Sequence, residues 1–376
     1  MDRVLTIVGA SARAAACSAV RAGLTVHAAD LFADADLRSC CHAVQIADYP
    51  HGLAKIVRGP QPGGWIYTGA LENYPALVQK LSQIRPLLGN GADVLRRVRH
   101  PQKVANALRA AGLIYPAIAW DGDSLERDGS WLRKSVRSAG GSQVAVWDRH
   151  AGPEPLRDDF YFQRRIDGPA CSAVYVAAGG DAVLLGVTRQ LIGAAWTGAT
   201  GFQYCGSIGP LALAADVATS FARIGEVLAR AFDLVGLFGV DAIVNEQGVW
   251  PVEVNPRYTA STELIEWTGG LNAVDLHLAA CTSGRLPSVV IRPPRQCFGK
   301  AILFAPQPLV VTAELNAFLF EPHRQEPPAF ADIPVAGTAI EAGWPIVTVL
   351  AAAADERAVL EKLQQRVAQV QSLIPR

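Results

Sequence analysis

Glu253, Asn255 and Arg257 alternate along one stretch of chain, and Asp241 precedes them across a turn-like NEQG sequence (245–248). The segments VDAIV and VWPVEV around that turn read as the two strands of a hairpin. Residues i, i+2 and i+4 of a strand share a face, so Glu253, Asn255 and Arg257 point the same way. Residue 247, inside the turn, is the midpoint of Asp241 and Glu253, so pairing sets these two carboxylates opposite each other to within one residue. Two carboxylates and an amide oxygen on one face suit a hard cation such as Mg²⁺, which shares its ligands with substrate phosphates. Arg257 adds a fixed cation suited to a phosphate or carboxylate. The same residues also read as a salt-bridged hairpin face with no ligand.

A second candidate is Lys134 with the loop Ser138-Ala139-Gly140-Gly141-Ser142. A lysine at a strand end before a small glycine loop makes a phosphate cradle, because glycine lets backbone N–H groups approach an anion. An ordinary hairpin turn gives the same pattern, and no GxxxxGK[ST] occurs. Lys103 falls on the first turn of a helix, where a plain surface lysine is the competing reading. Phe160–Gly168 (FYFQRRIDG) reads as a linker strand whose backbone faces a base. Gly9, Ser11 and Arg13 follow the first strand and Asp30 ends the second, a placement used for dinucleotides. The pattern is GxSxR, however, not GxGxxG, and a nicotinamide-binding enzyme is the weaker interpretation.

These residues need elements to hold them. Residues 3–8 read as a buried strand, GASARAAACSAVRAG as a turn and alanine-rich helix ended by Gly23, and LTVHAAD as the next strand. Gly63–Thr68 adds another strand, so the first 90 or so residues look like an open, doubly wound parallel sheet. Near Asp93 the chain turns basic (DVLRRVRHP), and Pro101 then opens a helix that Gly112 caps. Residues 131–148 read as strand, glycine loop, strand. A long helix is expected over about 212–234, with Val217, Phe221, Ile224, Leu228 and Phe232 on one face and Gly236 as its stop. Residues 190–215 carry no charge and read as a flexible loop. After Leu286 the chain is Pro-rich, and a unit of short strands with a closing helix from about Asp355 begins near Gln296.

Composition narrows the function classes. The 376 residues carry 34 Lys+Arg and 34 Asp+Glu, a net charge of zero, which argues against a general nucleic-acid or anionic-membrane binder. Half of the residues are apolar, a globular composition rather than a disordered one. The seven cysteines show no CxxC, which points to reduced thiols and a cytoplasmic setting. Asp2 and the glycine pattern favour a strand–loop–helix over a signal peptide at the N-terminus.

Taken in order, lysine at a helix start, lysine at a strand end, glycine loop, hinge strand, long helix and Asp…Glu-x-Asn-x-Arg resemble the signature of the ATP-grasp superfamily over about residues 93–290. EVNPR (Glu253–Arg257) looks like the corresponding element of carbamoyl-phosphate synthetase, biotin carboxylase and related carboxylate–amine ligases. ADIP-x-x-GT-x-I-x-x-G-x-P-I-x-TV resembles the final β-rich domain of biotin-carboxylase-like members. GASARAAACSAVRAG with ADLFADADL resembles a group that includes the tyramine–glutamate ligase of methanofuran synthesis.

The resemblance implies an α/β (α+β) ATP-grasp fold: a Rossmann-like domain over 1–92, the ATP-grasp domain over 93–290 with a lid at about 115–165, and a small β-rich domain over 291–376. It implies that Lys103 and Lys134 contact ATP phosphates and that Ser138, Gly140, Gly141 and Ser142 form the lid loop. Gln163, Arg164 and Ile166 would line the adenine, with Asp167 at the ribose. Asp241, Glu253 and Asn255 would hold two Mg²⁺ ions, or Mn²⁺ in their place. Arg257 and Arg189 would contact the transferred phosphate or the carboxylate. Tyr204, Gly206 and Ser207 would lie near the acceptor, and Ser11, Arg13 and Asp30 would meet a substrate. Arg164 and Arg165 stand where many members carry a hinge glutamate, and Asp241 replaces the commoner glutamate.

The implied chemistry is ATP-dependent activation of a small carboxylate as an acyl phosphate, followed by attack of an amine, in a homodimer. A bicarbonate-activating enzyme and an inactive ATP-binding sensor are the alternatives.

Overall fold

Val4–Val8 forms β1, apolar apart from Thr6, with Leu5, Ile7 and Val8 almost fully buried. A mostly apolar run suits a parallel strand covered on both faces, and buried Thr6 accepts from Arg85 Nη1 (2.9 Å). β1 pairs in parallel with β2 (Thr25–Asp30) and β4 (Gly64–Tyr67), and β2 with β3 (His42–Gln45), giving the order β3-β2-β1-β4. The helix Arg13–Arg21 joins β1 to β2 and buries Ala15, Ala16 and Ala19, whose small side chains allow close approach to the sheet. A computed structural model describes residues 3–150, 159–288, 296–320 and 327–374.

A small antiparallel sheet follows. Its strands are β5 (Ile118–Ala119), β6 (Asp128–Ser135), β7 (Val144–Asp148) and β8 (Phe160–Arg164), in the order β5-β8-β6-β7.

The remaining strands are β9 (Ala170–Ala178), β10 (Asp181–Ile192), β11 (Tyr204–Gly209), β12 (Gly236–Asn245), β13 (Gly248–Asn255), β14 (Cys297–Phe304), β15 (Leu309–Val310), β16 (Phe330–Ala331), β17 (Ala339–Ile340) and β18 (Pro345–Ala353). Eight of them form one antiparallel sheet in the order β13-β12-β9-β10-β11-β14-β18-β16. The sheet runs unbroken through the β11–β14 pair, across the sequence-expected boundary at residue 291.

Two expectations need correcting. The uncharged stretch 190–215 is not all loop: β11 is an interior strand, and Ser207 on it is fully buried. The long helix spans Ala215–Phe232 and buries Phe221, Ile224, Leu228 and Phe232 as the periodicity predicts, but Gly236 is not its stop. Asp233 takes the left-handed conformation at the helix end (φ +55°). Gly236 is needed instead for close packing, since a Cβ there would lie 2.3 Å from His277 Nδ1. His277 accepts from Leu237 N (2.8 Å) and faces the Leu88 carbonyl (2.8 Å), tying the parallel sheet's last loop to β12.

Candidate active site

The hairpin register places Asp241 opposite Glu253, with Asn255 opposite Gly239. The two-residue turn Glu246-Gln247, helped by Asn245 Oδ1 accepting from Gln247 N (3.0 Å), pairs Ala242 with Pro251, and a bulge between Asp241 and Ala242 then shifts the ladder by one to bring Asp241 opposite Glu253. Asp241 also sits opposite Ser172 on β9, and Ser172 opposite Thr188 on β10, so one polar face crosses the sheet. Asp241 Oδ2 accepts from Asn255 Nδ2 (3.0 Å) and Oδ1 from Gln190 Nε2 (3.1 Å).

Across the cleft, β6 presents Lys134. Its ammonium donates to Gln163 Oε1 (3.0 Å) and to the Val252 carbonyl of β13 (3.1 Å), so it bridges the small sheet and the hairpin. Arg99 reaches in from the end of the helix Ala92–Val98 and pairs with Glu253 through Nη1. Its Nη2 donates to the carbonyls of Val136 (3.3 Å) and Ser138 (3.1 Å), holding the start of the glycine loop. Arg99, Tyr115, Lys134, Ser135, Tyr161 and Glu253 line the cleft. Arg257 is clamped by Glu72, which accepts from Nε (2.9 Å) and Nη2 (2.7 Å).

The electrostatics follow from this crowding. Burial and the Glu253 charge push the Asp241 carboxyl up to about 6. Burial pushes Glu253 up as well, but the cations of Arg99 and Lys134 more than offset it and its net direction is down. Burial draws Lys134 down, and the neighbouring carboxylates only partly restore it. A phosphate chain entering the cleft would therefore meet two desolvated cations.

The donor set matches a shared rather than a caged cation. Asp241 and Glu253 provide carboxylates and Asn255 an amide oxygen. Among the described residues no three or more His, Cys, Asp or Glu are arranged to hold a metal alone. Mg²⁺ bound by one or two carboxylates takes its remaining ligands from phosphate and water, so these residues fit it.

The glycine loop lies over the cleft. Gly140 O accepts from Tyr204 N (3.0 Å), and a Cβ on Gly141 (φ +78°) would stand 1.9 Å from the Phe202 carbonyl. Ser138 is buried, while Ser142 is exposed and turns its hydroxyl back to Ala139 O (3.0 Å). Tyr204 and Ser207 join hydroxyls (2.9 Å), and the chain continues from Ser207 to Ser261 (3.3 Å) and Thr188 (3.0 Å).

Other sequence candidates lie elsewhere. Lys103 is exposed and its side chain makes no hydrogen bond or ion pair among the described residues; Arg99, in the same basic run, occupies the cleft. Arg189 points to the other face of β10 and pairs with Glu356 of the final helix (3.1 Å), while its neighbour Gln190 reaches Asp241. Arg164 is exposed and donates to Ser130 Oγ (2.9 Å), and Asp167 is exposed beside Arg165. Ile166 is half-buried on the segment leaving β8. Ser11 is exposed, and its carbonyl accepts from Thr68 Oγ1 (2.7 Å).

Asp30 and Arg13 are not free to meet a substrate. Asp30 is fully buried and accepts from the N–H groups of Ala12 (2.7 Å), Phe32 (3.0 Å) and Ala33 (2.7 Å). Arg13 is buried and forks onto Glu263 and Asp332. The residues that sequence reasoning missed are Arg99, Gln190, Glu72, Ser261 and Thr188. Strand alternation along β10 was the available signal for Gln190 over Arg189.

Comparison with known proteins adds the family. Residues 102–261 match the ATP-grasp domain family, a stretch that holds Lys134, the glycine loop and the whole hairpin. The chain carries an ATP-grasp domain. An uncharacterized protein of Methanocaldococcus jannaschii is 24% identical over 275 residues, covering 70% of this chain and 63% of that protein. The match thus spans less than two thirds of the relative's length. Among solved structures, an L-amino acid ligase from Bacillus licheniformis superposes with a TM-score of 0.70 at 15% identity, covering 98% of this chain and 97% of the other. The ADP complex of an N5-carboxyaminoimidazole ribonucleotide synthetase gives 0.72 at 15% identity, with 98% of each chain covered. The ATP-grasp architecture therefore extends along nearly the full chain. No helix among the described residues is long and apolar enough to cross a membrane.

Proposed function

We propose that the protein is an ATP-dependent ligase that activates a small carboxylate as an acyl phosphate and joins it to an amine, releasing ADP and phosphate. The observation that carries this reading is the pairing of Asp241 with Glu253 beside Asn255, facing Lys134, all within the residues that match the ATP-grasp domain family, with Arg99 reaching in from just before them. The named solved structures of the same fold include a ligase and a synthetase.

Each residue then has a task. Lys134 and Arg99 neutralise phosphate charge in the cleft. Asp241, Glu253 and Asn255 would hold Mg²⁺, which spreads charge over the phosphates. Arg257, fixed by Glu72, orients the carboxylate that attacks the γ-phosphorus, and ADP departs with the broken bond's electrons. The amine nitrogen then attacks the carbonyl carbon, the C–O bond to phosphate breaks, and the amine loses its proton. Ser138–Ser142 exclude the water that would hydrolyse the acyl phosphate.

The finer reading, from the N-terminal resemblance, is a cofactor-type synthesis joining glutamate to an aryl amine. The same proposal takes 1–92, 93–290 and 291–376 as its three units, and a cytoplasmic homodimer as its assembly.

The test is Mg²⁺-dependent ADP release from ATP against paired carboxylates and amines. Release that needs one of each supports the ligase. Release with bicarbonate alone, or ATP binding with no release on any pair, overturns it.

A further inference from the structure

The parallel sheet carries two histidines that the chemistry of the cleft does not use. His27 of β2 and His42 of β3 are direct partners in the parallel ladder, so their side chains leave the sheet on one face. Two residues further on, Ala29 and Val44 share that face and join one apolar cluster with Leu53 and Val57 of the helix Leu53–Val57. The histidines are less covered: His27 is half-buried and His42 is exposed. β3 is an edge strand of its sheet, so the pair is open from the side.

Their ring centroids lie 5.4 Å apart, with the planes at 53°. A metal ion about 2.05 Å from one nitrogen of each imidazole lies about 3.2 Å from each centroid. A tetrahedral angle of about 109° at the metal then sets the centroids about 5.2 Å apart, and the right angle of a square or octahedral shell sets them about 4.5 Å apart. The rings therefore stand at tetrahedral spacing before any ion binds. A half-turn about Cβ–Cγ exchanges the nitrogen and carbon edges of a ring and leaves its centroid in place. Either ring can thus turn a nitrogen toward the other without moving the backbone.

The imidazoles are not committed elsewhere. His27 Nδ1 is buried without a hydrogen-bond partner. A desolvated polar atom with no partner costs free energy that a coordinate bond would recover. Burial, then His42 and the Arg85 guanidinium, hold His27 below the usual histidine range. The ring is therefore neutral near pH 7, the form that coordinates metals. Arg85 is close because it donates to Thr6 Oγ1 (2.9 Å), and Thr6 is the β1 partner of His27. Its charge opposes a dication but also keeps the ligand unprotonated.

We propose that His27 and His42 together bind a divalent transition ion of the zinc class, at a site separate from the Mg²⁺ residues. Donor softness sorts the two ions. Asp241, Glu253 and Asn255 offer hard oxygen atoms on the eight-stranded sheet, whereas paired imidazoles suit zinc. No third His, Cys, Asp or Glu completes a protein shell among the described residues, so water fills the remaining positions and the ion exchanges. Bound there, it ties the four-residue edge strand β3 to β2 and stabilises the folded sheet by mass action. The site does not depend on the ligase reading.

The test titrates the full chain, freed of metal, with ZnCl₂ by calorimetry in excess Mg²⁺, alongside His42→Gln and His27→Gln. Zn²⁺ taken up by other side chains is common to all three proteins, so the difference belongs to the pair. The expected result is a wild-type Zn²⁺ site whose affinity falls about tenfold or more in each variant. Zn²⁺ should raise the wild-type melting temperature, and the rise should shrink in both variants. His42→Gln changes an exposed side chain, so its metal-free melting temperature should match wild type. A smaller loss of Zn²⁺ affinity in His42→Gln overturns the site. Co²⁺ in place of Zn²⁺ should give wild type a strong visible absorption, that of a four-coordinate ion, which His42→Gln lacks. The weak bands of a six-coordinate ion overturn the tetrahedral assignment.

Discussion

Two clusters in this molecule gather arginines and acids at strand ends, and they differ in what they leave undone. At the hairpin, Glu253 keeps about a third of its side chain exposed, and Arg257 retains 14%. Around Arg13, the guanidinium and the carboxylates of Asp36 and Glu263 are 4%, 0% and 2% exposed, and Arg13 spends its donors on Glu263 and Asp332. The first cluster has oxygen atoms and solvent access left for a ligand. The second is a lock between three parts of the chain. Residue type does not separate the two roles; satisfaction and access do.

Arg13→Leu strikes the lock and carries the largest expected effect. It leaves buried Glu263 with Lys300 alone and takes the guanidinium from Asp36 and Asp332, and should cost about 3–5 kcal/mol of stability, read from urea unfolding. Glu253→Gln strikes the other cluster. It should lower ADP release on the order of a hundredfold or more while the unfolding midpoint stays near wild type. A midpoint that collapses would make the hairpin a second lock and erase the contrast.

Lys134→Ala removes the cation that bridges the cleft. It should weaken ATP binding roughly tenfold, the scale of a charge-assisted hydrogen bond. Gly141→Ala keeps every charge but places a methyl against the Phe202 carbonyl, at a backbone angle alanine resists. It should open the loop at a cost of about 1–3 kcal/mol, seen as faster proteolysis after Arg137. Lys103→Ala sits at the bottom of the scale, with stability and ATP affinity within about 0.5 kcal/mol of wild type.

What could be read from the sequence was what is local. Asp241 and Glu253 are joined by a short turn, so counting across it predicts their pairing to within one residue, and the bulge between Asp241 and Ala242 supplies the remaining step. The face of Ala215–Phe232 follows from helical period alone. Arg13 bonds to residues 250 and 319 positions away, and no spacing rule reaches that far. Arg189 and Lys103 fail for a different reason. Each is a basic residue near the right place, but alternation turns Arg189 to the back of β10, and helix phase leaves Lys103 in solvent while Arg99 enters the cleft. β11 escaped notice because its sequence YCGSIG has small residues and no apolar alternation. It is a strand because β10 and β14 pair with it on both sides.

That pairing has a consequence for how the molecule comes apart. β14 zips β18 and the closing helix onto the same ladder that carries the hairpin, so the C-terminal strands have no seam along which to detach. A proteolytic nick near residue 290 would leave the two pieces hydrogen-bonded. Synthesis halted at the same point would instead release a chain whose β11 edge is bare and ready to template a neighbouring copy. The last quarter of the polypeptide therefore covers a sheet edge that the first three would leave open.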